Sequence, residues 1–191
     1  MLQRKPPRVN MEKATEETVR EIFRTAERNR AASEKMAGDA EQFGQRITLV
    51  ALAIELYLKA LLAAHKKAHG GMHEHDKLFK RLPDSTKAQV RARYNAEMMR
   101  PEVTTKIIAL MMRMPAGVTL DFDFDKNLTL GSKAFVKWRY NYEDADKLPA
   151  LPTCCEICEA LRQELIHTVP DLPVIETTGD RFMVFVHRGQ G

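Results

Sequence analysis

Cysteine is scarce: three residues in 191, all within one short stretch, Cys154, Cys155 and Cys158. An odd, clustered set is not a disulfide framework and points to a reducing compartment. No apolar stretch follows the charges of Met1–Arg8, so the start does not read as a secretory signal, and a cytoplasmic location is expected. Internal repeats and low-complexity linkers are also missing. The charge excess is small, +4. That is compatible with a nucleic acid partner without requiring one. No HExxH pattern accompanies the histidines, so no metal and no cofactor is expected.

What is present suits one globular domain. Apolar residues make up 44% and charged residues 29% of the chain, and 191 residues are enough to bury a core without disulfides or a structural metal. The most apolar segment is Ile47–Ala64, ITLVALAIELYLKALLAA. Glu55 and Lys59 lie near its middle, and each costs about 2.5–3.5 kcal/mol at a bilayer centre. Their i,i+4 spacing, glutamate first, is the favourable order on a helix. A buried bundle helix with one polar edge is therefore expected, and no membrane span.

Along the chain, residues 1–9 read as a basic tail, 10–170 as a single helical domain, and 171–191 as a C-terminal extension. Val19, Ile22, Phe23 and Ala26 give an amphipathic helix over Glu12–Ala37 with a wet outer face. The second helix is expected over Glu41–Ala68, ended by Gly70-Gly71. A helical turn over His75–Leu82 follows, then a helix capped by Asp84 or Ser85 and running to Met99, then one from Pro101 to before Pro115. Residues 115–131, PAGVTLDFDFDKNLTLG, alternate polar with apolar and read as an irregular or β-like excursion. Helices are expected over Ser132–Ala145 and Thr153–Thr168, and a small hairpin over Val174–His187. The fold class is all-α, a bundle of four to six helices.

Two stretches carry a family resemblance. One is Glu55-Leu-Tyr57-Leu-Lys59-Ala-Leu-Leu, followed after a glycine-containing loop by His75-Asp76-Lys-Leu78-Phe-Lys-Arg-Leu82-Pro83. The other is Phe135-Val-Lys-Trp138-Arg139-Tyr140-Asn-Tyr142-Glu143. Together these resemble the HEPN family, the higher-eukaryote and prokaryote nucleotide-binding helical domains, over about residues 41–145. The resemblance implies a bundle, commonly dimeric, of the kind found in bacterial toxin–antitoxin and phage-defence systems. Some members are metal-independent ribonucleases; others bind nucleotides or act as interaction modules. RNA or a nucleotide, a second copy of the chain, and an antitoxin or other protein are the partners it implies.

The ribonuclease branch is marked by Arg followed four to six positions later by His, and Arg162 and His167 satisfy that spacing. His167 would move a proton at a ribose 2′-oxygen, and Arg162 would neutralise developing phosphate charge. An i,i+5 pair does not share one face of a straight helix, and a solvated helix end is the competing reading. For Glu55, Lys59, His75, Asp76, Arg139 and Glu143 two roles stay open. His75-Asp76 can cap its turn, and Arg139 can pair with Glu143 or Glu55 to fix helix register; equally, such a polar network can border a binding pocket.

The remaining candidates have plain alternatives. His65, His69, His73 and His75 crowd one stretch, and His65 with His69 has a chelating spacing, but a polar loop explains them as well. Cys155 and Cys158 form a CxxC at a helix start without a second pair, which makes buried thiols the default. Basic residues gather between Lys77 and Arg113, and Lys87 and Arg91 share a face opposite Val90, Tyr94 and Met98. That face suits a phosphate backbone or simply water.

Overall fold

The computed structural model describes residues 16–37, 39, 41–113, 120–139 and 153–176, with the side chains at 110, 113 and 134–139 outside that description. Seven helices lie among the described residues: α1 Glu16–Lys35, α2 Phe43–Ala64, α3 His75–Lys80, α4 Asp84–Met98, α5 Pro101–Arg113, α6 Phe124–Arg139 and α7 Cys154–Thr168. No strand occurs among those residues. The hairpin expected over Val174–His187 falls largely outside them, and its first residues, 174–176, are not in a strand.

The apolar helix α2 is the centre of the bundle, contacting α1, α3, α6 and α7. Ile47, Ile54, Tyr57, Leu58, Leu61 and Leu62 are all almost fully buried, as a helix apolar on most sides requires. Its length and composition would also cross a membrane, yet 67% of its most apolar window is buried by neighbouring helices. Phe23 of α1 packs on Tyr57, ring centroids 5.8 Å apart, and Leu161 and Leu165 of α7 complete the core. On the other side Phe124 of α6 stacks with Phe79 of α3 at 5.0 Å and Tyr94 of α4 at 5.2 Å.

Three boundaries differ from the sequence expectation, each for a local reason. α2 stops at Ala64, before the glycine pair, because Lys66 adopts a left-handed backbone with φ 54°. The Lys66 N–H donates to the Ala63 carbonyl and the Lys67 N–H to the Leu62 carbonyl, both at 2.8 Å, satisfying the last turn's orphan acceptors. α6 begins at Phe124, inside the stretch read as β-like. Asp123 caps it, its carboxylate accepting the Lys126 N–H at 2.9 Å, and the Asn127 amide holds the Asp121 and Asp123 carbonyls at 2.7 and 2.9 Å. α4 starts from Pro83, with no side-chain cap from Asp84 or Ser85.

α1 departs in its polarity. Glu27, Arg30, Ser33 and Glu34 are buried, so the wet outer face expected of the helix does not take all of its charged residues. Arg30 continues the buried stripe of Val19, Phe23 and Ala26 at helical spacing, so it turns inward with the apolar residues.

Candidate functional site

Arg162 and His167 both sit on α7, but they are not brought together. Arg162 is buried, with Nε 2.8 Å from Glu27 and Nη1 3.2 Å from Glu159. Burial alone would favour its neutral form; the Glu159 and Glu27 carboxylates outweigh that and hold the guanidinium charged, its pKa above the usual value. His167 is exposed in the last turn. Arg162 thus answers buried carboxylates instead of facing solvent beside an imidazole.

It belongs to a network joining three helices. Glu27 of α1 accepts hydrogen bonds from the Tyr57 hydroxyl of α2, from Arg162 of α7, and from Arg30. Burial pushes the Glu27 carboxyl up, but these donors together bring it below the ordinary value. Burial raises the Tyr57 phenol, reinforced by the Glu27 carboxylate, so it acts as a donor. Tyr57 and Arg162 stand in motifs read for other roles, and nothing in the sequence joins them to Glu27 and Arg30 beyond the fall of Arg30 on an apolar stripe.

The polar edge of α2 forms a second cluster. Lys59 Nζ lies 2.6 Å and His73 Nδ1 2.9 Å from Glu55 Oε1, while Glu55 Oε2 is buried without a hydrogen-bond partner. His75 is 1% exposed. Burial pulls its pKa down to about 4, against the opposing pull of Glu55 and the Ala51 carbonyl, so the ring is neutral at pH 7. The capping role expected of His75-Asp76 is filled differently: the His75 N–H donates to Ser132 Oγ at 2.6 Å, and Asp76 pairs with Lys80 at 2.9 Å. A neutral, sealed imidazole wedged against Gly131 fixes α3 on α6. Arg139 is the last residue of α6 with its side chain outside the description, and Glu143 lies wholly outside it.

Among the described residues no group of three or more His, Cys, Asp or Glu side chains is placed to hold a metal. His65 lies past the end of α2 and bonds Thr86 at 2.9 Å, so it does not share a helical chelate with His69. Cys154 and Cys158 are buried and burial raises both thiols, the opposite of a reactive thiolate.

The accessible chemistry lies in a cleft. An open cleft of about 610 Å³ runs between α3, α4 and α6. Lys80, Lys87 and Arg91 line it with Asp76, Asp84 and Asp125, and Phe79 forms part of its wall. Each cation has an acidic neighbour: Lys87 meets Asp84 at 2.6 Å, and Arg91 Nη2 meets both Asp125 oxygens at 2.8 and 3.0 Å. The Arg91 guanidinium also stands 5.0 Å from the Phe79 ring centroid and 5.7 Å from that of Phe124. These pairs are exposed on at least one side and screened by water, so each holds its carboxylate only weakly. The basic run seen in the sequence therefore divides. Lys80, Lys87 and Arg91 face the cleft, whereas Arg93 pairs with Glu164 of α7 and Arg100 with Glu97.

The described residues define an all-helical bundle with a mixed-charge, cation-lined cleft. No family model, no curated protein and no solved structure matches the chain.

Proposed function

We propose that the chain is a HEPN-like helical protein that holds RNA or a nucleotide by its phosphates in the cleft between α3, α4 and α6. The observation that carries this reading is the convergence of Lys80, Lys87 and Arg91 on one open cleft, in ion pairs weak enough to exchange for phosphate oxygens. Arg91, already stacked near two aromatic rings, presents a planar fork suited to a phosphate. Three nearby carboxylates keep the cleft close to neutral, which argues for modest, salt-sensitive affinity. Binding is favoured over cleavage, since Arg162 is directed at Glu27 and Glu159 and His167 stands apart from it. A role in bacterial toxin–antitoxin, phage-defence or stress settings is part of the same proposal and follows from the HEPN resemblance alone.

One observation favours the other reading, a dimerisation or protein-interaction module. The outer face of α5 carries Ile108, Met111 and Met112, each more than half exposed, and α5 contacts little besides α4.

The test is fluorescence anisotropy of a labelled single-stranded RNA with full-length protein in the presence of chelator. Wild type is expected to bind and to leave the RNA intact. Charge reversal at Lys87→Glu with Arg91→Glu is expected to weaken binding by about tenfold or more, roughly 1.4 kcal/mol. His167→Ala is expected to have no effect. Equal binding by wild type and the charge-reversed variant, or RNA cleavage lost in His167→Ala, would overturn the proposal.

A further inference from the structure

The three-helix charge network has a fourth partner that is not a helix. Beyond α7 the chain turns at Asp171, whose backbone is left-handed at φ 58°, and residues 172–176 run back to α1 without regular secondary structure. Leu172 enters the core, and the Val174 N–H bonds the Leu172 carbonyl at 2.9 Å around Pro173. The next hydrogen bonds are made by main-chain atoms. The Ile175 N–H donates to Glu27 Oε2 at 2.7 Å, and the Ile175 carbonyl accepts from the Arg30 guanidinium.

A buried carboxylate and a buried guanidinium thus offer one acceptor and one donor to a single residue's backbone, as the edge of a β-strand does. Glu27 is 0% and Arg30 3% exposed with this segment in place. α1 and α7 each pack on α2, and the segment carries the chain from the end of α7 to the polar face of α1. Main-chain recognition does not depend on Ile175 being isoleucine; Leu172, seated in the core, supplies the side-chain requirement.

We infer that the Glu27–Arg30 pair is a reading site for a peptide main chain, filled in cis by residues 172–176. A segment of a partner protein, with an apolar side chain three residues before the clamped one, takes the same place when the resident segment lets go. The resident has the advantage of being tethered, so a competitor needs either high local concentration or a weakened resident.

The test uses the full-length chain and a fluorescein-labelled synthetic peptide of residues 169–180. Ile175→Pro removes the N–H that Glu27 accepts and weakens the resident segment alone. This variant, with wild-type helix content by circular dichroism, is expected to bind the peptide at least about tenfold more tightly than wild type. Adding Glu27→Gln to it is expected to abolish that gain. A folded Ile175→Pro chain that binds no peptide, or whose binding is indifferent to Glu27→Gln, would overturn the inference. If Ile175→Pro does not fold, wild type is titrated with excess unlabelled peptide while the Ile175 amide resonance is followed. Displacement predicts a shift, and an unmoved resonance at millimolar peptide counts equally against the site.

Discussion

At Gly131 an added Cβ would lie 3.1 Å from His75 Nδ1 and 3.6 Å from Cε1. Replacing a helical glycine by alanine ordinarily gains about 1 kcal/mol. Here the ring it meets is 1% exposed and has little room to move. Gly131→Ala is therefore expected to lower stability in chemical denaturation despite the better helix former. In a His75→Ala background the same substitution should raise it, and equal effects in both backgrounds would refute the contact. Glu55 with Lys59 was legible in the sequence as an i,i+4 pair and is found as one. The role of Gly131 was not legible, since the reason for that glycine lies 56 positions away in another helix. Arg162 matched a motif by spacing, but spacing along α7 says nothing about Glu27, 135 residues earlier, which claims it.

Helical period along α1, α2, α4 and α5 was readable because each repeats apolar residues at one face, whereas α7 was marked by the prolines that bound it. The start of α6 was hidden by Leu120–Asp125, where alternation imitates a strand while Asp123 supplies a helix cap. The end of α2 was misplaced because glycine is the expected left-handed residue, whereas the hydrogen-bond pattern puts Lys66 there. A non-glycine residue in that conformation costs about 1 kcal/mol. Lys66→Gly is thus expected to raise thermal stability by roughly 0.5–1 kcal/mol, and a loss in calorimetry would contradict the cap assignment. The cleft is a tertiary product of three helices. Only its Lys87–Arg91 face could be read beforehand; Phe79 and Asp125 join it through the packing of α3 and α6 on α4.

For the molecule as a whole, two buried titratable groups act on stability in opposite directions over nearly the same pH range. His75 is held at about 4, below its ordinary 6.5, so its contribution is complete above pH 6.5 and is lost as pH falls toward 4. Burial raises Glu156 to about 7, with Glu97 adding to the shift and Lys106 and Arg100 opposing it. Its contribution is complete below about pH 4.5 and is lost as pH rises toward 7. Each amounts to about 3 kcal/mol, so the two nearly cancel between pH 4.5 and 6.5. Urea unfolding of wild type is expected to vary less with pH in that window than either single variant below. With Glu156→Gln stability should rise with pH across it, and with His75→Gln it should fall. Below pH 4.5 the depressed Glu27 carboxyl takes over, and its stabilisation is lost as pH drops through its folded value.

The phosphate binding proposed for the α3–α4–α6 cleft rests on the assembled molecule, and its salt dependence tests that proposal most directly. Each phosphate contact on a single strand contributes a slope of about −0.7 to log K against log salt concentration. Engagement of Lys80, Lys87 and Arg91 predicts a slope near −2 for wild-type protein on single-stranded RNA, reduced to about −0.7 in Lys87→Ala with Arg91→Ala. A wild-type slope near zero, or one that the double substitution leaves unchanged, would contradict the account.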